Sequence, residues 1–330
     1  MGLLEKGREF VRTERGIVIP LIREPSSVEM KNLRVKIDAF EIEEVDFKLA
    51  RTAATSLRDL DQIPPALRSE LPRSFDIIGE IAVVEIPQTL TTFSAQIGDG
   101  IIEMNPHVRL VIQKSSDVTG TFRTRKYEVV SGRGSTETIY HEFACNYNLD
   151  VAAVYFNPRL SHERMRIARQ VRRDEVVVDM FAGVGPYSIL IAKTQPTSIV
   201  YSIDINPTAI RYLKENAFTN RVADRVVPLQ GDAGKLSAKE LRNVADRVIM
   251  NLPSDAGSYI SAATRILKTE GGRIHFYQFA QRETSIDSIK DSFRTSVEAQ
   301  GRAIESFEYC DAIKEVSPSR TQIAIDAAIR

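Results

Sequence analysis

The most constraining feature of this chain is a change of period near Asn157. From there, short apolar runs that end in polar or glycine residues alternate with helical stretches. VVVDMFAG, SIVYSIDI, RVVPLQGD, DRVIMNLP and GGRIHFYQF have strand length and β-branched content. SILIAK, TAIRYLKENAFTN, SYISAATRILKTEG and SIDSIKDSFRTSVEAQG lie between or after them with helical character. Such alternation requires a parallel sheet with helices on both faces, because each crossover returns the chain over one face. The closing run RAIESFEYCDAIKEVSPSRTQIAIDAAI supplies two further strands, read as a hairpin. The fold class is α/β: a doubly wound Rossmann-like domain whose ligands belong at the carboxyl ends of its strands.

The upstream half has a different texture. Residues 1–68 are mixed: an amphipathic start (Leu3, Leu4, Phe10, Val11), the strand-like IVIPLI, a second strand-like piece over residues 35–43, and a polar helical reading of residues 46–68. Pro64, Pro65 and Pro72 mark a boundary. From Phe75 to Asp150 the chain is rich in β-branched and aromatic residues separated by Gly, Asn and Asp, which predicts a mostly antiparallel or mixed sheet with one or two helices. The expected organisation is a small N-terminal domain or segment (1–68), an α+β middle domain (69–152) and the Rossmann-like domain (153–330).

Composition narrows the function. Among 330 residues, 44 Lys+Arg balance 44 Asp+Glu, so any nucleic-acid binding must come from a local patch. No run approaches the roughly 20 apolar residues of a membrane span, and MGLLEKGREFVR lacks a signal peptide's apolar core. Two cysteines, Cys145 and Cys310, suit a reducing cytoplasm rather than a disulfide framework. Four scattered histidines give no metal-ligand spacing.

The strand ends carry the chemistry. The first delivers Asp179-Met-Phe-Ala-Gly183-Val-Gly185-Pro, a turn that allows close backbone approach to a ligand. Ser188 stands where the third glycine of a dinucleotide fingerprint would be, which weakens a pyrophosphate-binding reading. About 20 residues beyond, Asp204 in Ile203-Asp204-Ile205-Asn206-Pro207 can accept ribose hydroxyls, or can act as a helix-start acid. The third strand ends in Gly231-Asp232-Ala233, where Asp232 can receive an adenine amine or serve as a plain turn acid. The fourth ends in Asn251-Leu252-Pro253, a turn suited to fixing a planar heterocycle.

Three strand-end polar sites after one glycine turn resemble the class I S-adenosylmethionine-dependent methyltransferases. The likeness sharpens in VYFNPRLSHER at Val154–Arg164, followed in order by DMFAGVGP, IDINP, GDA and NLP. This series resembles the archaeal and eukaryotic tRNA (guanine-N1)-methyltransferase family, Trm5, whose members modify position 37 beside the anticodon. SFDIIGEIAVV and GTFRTRKYEVVSG are similar to that family's middle domain. The resemblance covers roughly residues 70–330, and the family's N-terminal domain looks shortened here.

The resemblance implies a mechanism and a residue set. N1 of guanine carries a proton, so transfer needs a base, and charge building on O6 needs a cation. By resemblance the base is Glu163 of PRLSHER and the cation is Arg123 of the FR motif; read alone, each fits a surface ion pair or a solvated strand. The implied donor is S-adenosylmethionine, with S-adenosylhomocysteine as product and no metal. Its pocket set is Tyr155, Arg164, Phe181, Gly183, Gly185, Asp204, Ile205, Asn206, Asp232, Ala233, Asn251 and Pro253. The implied partner is tRNA, with a monomeric protein, no membrane and no obligatory protein partner.

An RNA face is read from Arg159, Arg164, Arg166, Arg169, Arg172 and Arg173, with Arg166, Arg169 and Arg173 on one side of a helix. Lys114, Arg125, Lys126 and Arg133 extend it. Two other activities compete, wyosine-pathway transfer of a 3-amino-3-carboxypropyl group and an NAD-dependent oxidoreductase; C-methylation of a wyosine intermediate is a second activity that the methyltransferase reading leaves open. A non-catalytic RNA-binding protein is a further possibility.

Overall fold

The structure, a computed structural model, describes residues 3–5, 8–13, 16–37, 39–47, 56–116, 120 and 122–330. The chain divides into two units, Met1–Ser69 and Glu70–Arg330.

In the first unit, β1 (Val11–Thr13) pairs antiparallel with β2 (Gly16–Val18), and Leu4 bridges Leu21. A helix, α1 (Ser27–Lys36), comes next. It replaces the start of the strand expected over residues 35–43, and residues 39–47 carry no regular structure. The cause is a capping box: the Ser26 side chain accepts the Glu29 N–H, while the Glu29 carboxylate accepts the Ser26 N–H at 2.9 Å. The helix expected over residues 46–68 is also corrected. Residues 48–55 lie outside the described residues, and beyond them the chain forms two 3₁₀ turns, Leu57–Asp59 and Pro65–Glu70. Pro64 and Pro65 lack the N–H donors that a longer helix needs.

The second unit opens with a four-stranded mixed sheet of order β3 (Asp76–Ile78), β4 (Ile81–Val84), β5 (Leu110–Lys114), β6 (Tyr127–Gly132). The β4–β5 pair is parallel, so it needs a crossover, which α2 (Ser94–Met104) supplies by burying Ile97 and Ile101. A separate hairpin pairs β7 (Glu137–Glu142) with β8 (Cys145–Asp150).

The remainder is the alternating segment: α3 (Ser161–Gln170), β9 (Val176–Asp179), α4 (Pro186–Thr194), β10 (Ile199–Asp204), α5 (Pro207–Thr219) and β11 (Val226–Gln230). Then come α6 (Ala233–Ala238), β12 (Arg247–Met250), α7 (Ile260–Ile266), β13 (Gly272–Gln281), α8 (Ile286–Glu298), β14 (Ile304–Ser317) and β15 (Arg320–Ile329). The seven strands run in the order β11-β10-β9-β12-β13-β15-β14. The first five are parallel; β15 and β14 form the expected antiparallel closing hairpin. One face of the sheet packs on Ile260, Phe293 and Val297 of α7 and α8, the other on Ile167, Leu190 and Leu213 of α3, α4 and α5. The chain leaves β9 toward β10 on one side and reaches β12 on the other, so the crevice opens at the carboxyl ends of β9 and β12.

Two asparagines, Asn216 on α5 and Asn220 at its C-cap, tie the β7–β8 hairpin to this core. Asn216 accepts the Asn148 N–H at 2.7 Å and donates to the Asn148 carbonyl at 3.0 Å. Asn220 does the same to Asn146, at 2.9 and 2.7 Å. The spacing matches because four helical residues rise about 6 Å and two strand residues about 6.8 Å. The amides therefore extend β8 as a further strand would. Asn216→Leu should lower unfolding free energy by about 2–3 kcal/mol in chemical denaturation, since it leaves β8 backbone groups unpaired; an unchanged midpoint would show that the ladder contributes nothing.

Candidate active site

The turn after β9 is shaped by two glycines with different tasks. Gly183 has φ of +56°, and a Cβ there would meet only the Tyr155 carbonyl, at 3.6 Å, so its face is open to a ligand. Gly185, at φ +89°, caps α4 and leaves room for Leu213, which makes it a packing glycine. The Gly183 N–H donates to Asp204 Oδ2 at 2.7 Å and the Asn206 N–H to Oδ1 at 2.8 Å. These bonds aim the carboxylate while leaving lone pairs free. Burial still raises the pKa of Asp204, partly offset by those amides. Ile205 beside it is exposed, and Asn206 caps α5 while its amide donates to the Ala153 carbonyl at 3.0 Å.

Asp179, to which the motif pattern assigns no role, is fully buried at the end of β9. Burial lifts its pKa to about 7, against a hydrogen bond from Ser188 at 2.9 Å. Among the described residues its Oδ1 is buried without a hydrogen-bond partner.

Asp232 caps α6 by accepting the Lys235 N–H at 3.0 Å, and the Tyr259 hydroxyl donates to it at 3.4 Å. The Tyr259 ring meets Phe181 edge-on at 5.0 Å, so Phe181 and Asp232 share a wall. The Ala233 side chain is buried in the core. Asn251 accepts from Gln322 at 3.4 Å, and the Pro253 carbonyl accepts the Phe279 N–H at 2.9 Å. Tyr155 is 45% exposed, with its hydroxyl 3.5 Å from the Asn157 amide. Arg164 departs from its expected place. It is buried, forks onto Glu142, and donates to the Asn157 carbonyl at 3.0 Å. Its guanidinium thus anchors the Tyr155–Asn157 loop through the Asn157 carbonyl.

Glu163 and Arg123 lie on different elements, and of the two Arg123 bonds the Asn251–Ser254 segment directly. Arg123 adopts a left-handed backbone (φ +54°), a strained conformation for a side-chain-bearing residue, and hydrogen-bonds Ser254 directly after Pro253. Glu163 is 6% exposed; Oε1 accepts from the Tyr277 hydroxyl at 2.6 Å, and the Arg166 fork spans both oxygens at 2.7 Å each. Tyr277 lies on β13 two residues before Phe279, whose N–H holds Pro253.

The expected arginine face is corrected as well. The helix α3 ends at Gln170, so Arg173 lies beyond it, and Arg166 turns inward onto Glu163 and Asp326. The cationic surface is instead a cleft that places Lys114, Arg123, Arg125 and Lys314 beside Tyr127, Tyr155 and Phe156. Lys314, on β14, carries no motif signal. Burial lowers its pKa, and neighbouring Arg159 adds to the effect. Arg159 itself pairs with Asp76 at 2.6 Å.

Among the described residues no cluster of His, Cys, Asp and Glu could hold a metal, and no helix is long and apolar enough to cross a membrane. A doubly wound α/β sheet, strand-end carboxylates and an open glycine turn define a nucleoside-binding enzyme class. Residues 138–304 match the TRM5/TYW2 methyltransferase domain, and residues 56–136 match the TYW2 N-terminal domain. The tRNA (guanine(37)-N(1))-methyltransferase Trm5b of Pyrococcus abyssi is 38% identical over 301 residues, 89% of this chain and 86% of that protein. The tRNA 4-demethylwyosine(37)-methyltransferase Taw21 of Saccharolobus solfataricus is 36% identical over 224 residues, 68% and 84% of the respective chains. The solved complex of aTrm5 with tRNALeu superposes with a TM-score of 0.76 at 28% identity, covering 99% of this chain and 93% of that one. Methanocaldococcus jannaschii TYW2 in complex with AdoMet gives 0.60 at 26% identity, over 78% and 99%. The chain belongs to the TRM5/TYW2 methyltransferase family.

Two of these placements have measurable consequences. Arg164→Met leaves Glu142 buried without its partner, so unfolding free energy should fall by about 3–5 kcal/mol; a loss under about 1 kcal/mol would contradict the anchoring role. Asp179 has a folded pKa of about 7, above its unfolded value, so the folded state keeps a proton between about pH 4 and 7 that the unfolded chain has lost. Its cost to stability is absent below about pH 4 and complete above pH 7. Asp179→Asn should melt above the parent at pH 8, the gap closing toward pH 4; a gap independent of pH would contradict this.

Proposed function

We propose that this protein is a tRNA (guanine(37)-N1)-methyltransferase that uses S-adenosylmethionine and releases S-adenosylhomocysteine. The observation that carries the reading is the hydrogen bond of Arg123 to Ser254, which brings a cation from the loop between β5 and β6 to the strand-end turn of β12. The same strand, β13, carries both the Phe279 N–H that holds the Pro253 carbonyl of that turn and the Tyr277 hydroxyl that bonds the buried carboxylate of Glu163. The names of the Trm5b relatives support the same reaction, and the AdoMet complex of a TYW2 supports the donor.

In this reading Asp204 holds the ribose hydroxyls, Asp232 and Asn251 face the adenine with Phe181 and Pro253, and Gly183 allows the close approach. Tyr155, Asn206 and Ile205 complete the rim, while Gly185, Ala233 and Arg164 support it from behind. When bound, the donor supplies an electrophilic methyl group on a sulfonium. Glu163 takes the N1 proton of guanine, and the Arg123 guanidinium donates to O6 as charge develops there. Alignment supplies much of the rate, and the base must leave its stack to enter the cleft. Residues 69–152 form the tRNA-binding part, with Lys114 and Arg125 tracking phosphates alongside Lys314 of β14. The protein acts as a cytoplasmic monomer.

Incubation with unmodified tRNA transcript and methyl-labelled donor, followed by nucleoside mass analysis, should give 1-methylguanosine at position 37. Glu163→Gln should reduce that rate by at least about 100-fold. Carboxypropyl label in the tRNA would overturn the reading. The Taw21 likeness favours a second substrate: tRNA carrying 4-demethylwyosine at position 37 tests it, and methylation of that base alone would replace the N1 assignment. Donor at 100 times its Kd should stabilise the parent by about 2.7 kcal/mol, a gain that Asp204→Asn should abolish in thermal melts; an equal gain in the variant would remove Asp204 from the ribose site.

A further inference from the structure

Behind Glu163 runs a buried chain of charged and polar groups that donor and tRNA binding leave unused. The Arg166 guanidinium is held on three sides. One edge forks onto Glu163, the other reaches Asp326, and the Tyr309 ring lies 3.9 Å from it. Asp326 is 1% exposed and fully engaged, accepting also from Gln170 at 3.0 Å and from His275 Nδ1 at 2.7 Å.

The state of His275 is set by its other neighbour. Arg247 can only donate, and its Nη1 lies 2.7 Å from His275 Nε2. Nε2 is therefore the acceptor and Nδ1 carries the proton given to Asp326. Arg247 is anchored in turn by Glu175 at 2.9 Å and by the Gln170 carbonyl at 3.0 Å. The sheet sets this row: His275 on β13 and Tyr309 on β14 both pair with Asp326 on β15. Tyr277, two residues along β13, has the same facing as His275 and meets Glu163 itself.

Buried charges of this number are a poor means of gaining stability, since well-packed apolar residues serve as well or better. What the chain does achieve is directional. Its far end is fixed to the sheet, every acceptor of Asp326 is filled, and its near end is a carboxylate. Among the described residues, Glu163 Oε2 accepts only the Arg166 Nε bond, so one acceptor position on that oxygen is unfilled.

We infer that Arg166 and Asp326, braced by His275 and Arg247, are positioning residues that fix Glu163 in the one rotamer presenting Oε2 to the substrate proton. The inference rests on Glu163 being the base. Arg166 works by geometry: its fork spans two carboxylates at once, which a lysine ammonium cannot reproduce.

The test is methyl transfer to unmodified tRNA by Asp326→Asn and Arg166→Lys, each made in the parent and in Glu163→Gln, with thermal melts and calorimetric donor binding as checks of folding. In the parent background both substitutions should lower kcat by about 10–100-fold, with KM for tRNA and for donor changed less than about 3-fold. In Glu163→Gln the same substitutions should cost less than about 3-fold more, because their effect passes through the missing carboxylate. Full kcat in either folded variant, or equal losses in both backgrounds, overturns the inference. If one variant fails to fold, the other decides by the same criteria. Full activity of Glu163→Gln alone is a separate result, and it removes the base assignment itself.

Discussion

The structure depends on a buried carboxylate held by one partner on its own helix and one on a distant strand. Glu163 sits on the first turn of α3, where its charge suits the helix N-terminus, yet its hydrogen bonds come from Arg166 and from Tyr277 on β13. A carboxylate so buried costs free energy unless each oxygen is engaged. Both are engaged here, and the geometry leaves one lone pair for chemistry. The position of α3 against the sheet, the closing hairpin and the turn after β12 all bear on that one group.

The same logic recurs on a smaller scale across the crevice. Asp204 is pre-aimed by two backbone amides, Asp232 by its own helix and Tyr259, and the Tyr155–Asn157 loop by Arg164 from below. Side chains proposed to meet a ligand are thereby held in place by others outside the proposed site. Arg123 is the exception in manner: it reaches the site from a left-handed backbone position and bonds to Ser254.

Much of this is legible in the sequence. The alternating segment fixes the sheet because each strand is a short apolar run ending in a turn residue, a pattern governed by local rules. The strand-end residues Asp204, Asp232 and Asn251 emerge from that pattern. Less legible is whatever depends on distant pairing. Asp326 lies 160 residues from Arg166, in an apolar run whose acid looks like surface alternation until strand register sets it against His275. Arg166 reads as part of a basic helical face, and only the end of α3 at Gln170 and the inward bonds show otherwise. Lys314 joins the cleft through a hairpin strand with no motif of its own. Near the N-terminus the misleading signal is local: VKIDAFEIE alternates like a strand, but the box at Ser26 and Glu29 starts a helix first.

A crystal structure of the ternary complex with unmodified tRNA and S-adenosylhomocysteine shows whether Glu163 and Arg123 reach the target guanine. Glu163 Oε2 should lie within about 3.2 Å of guanine N1 and the Arg123 guanidinium within the same reach of O6. A target base lying more than about 5 Å from both side chains, with no water linking them, would contradict it.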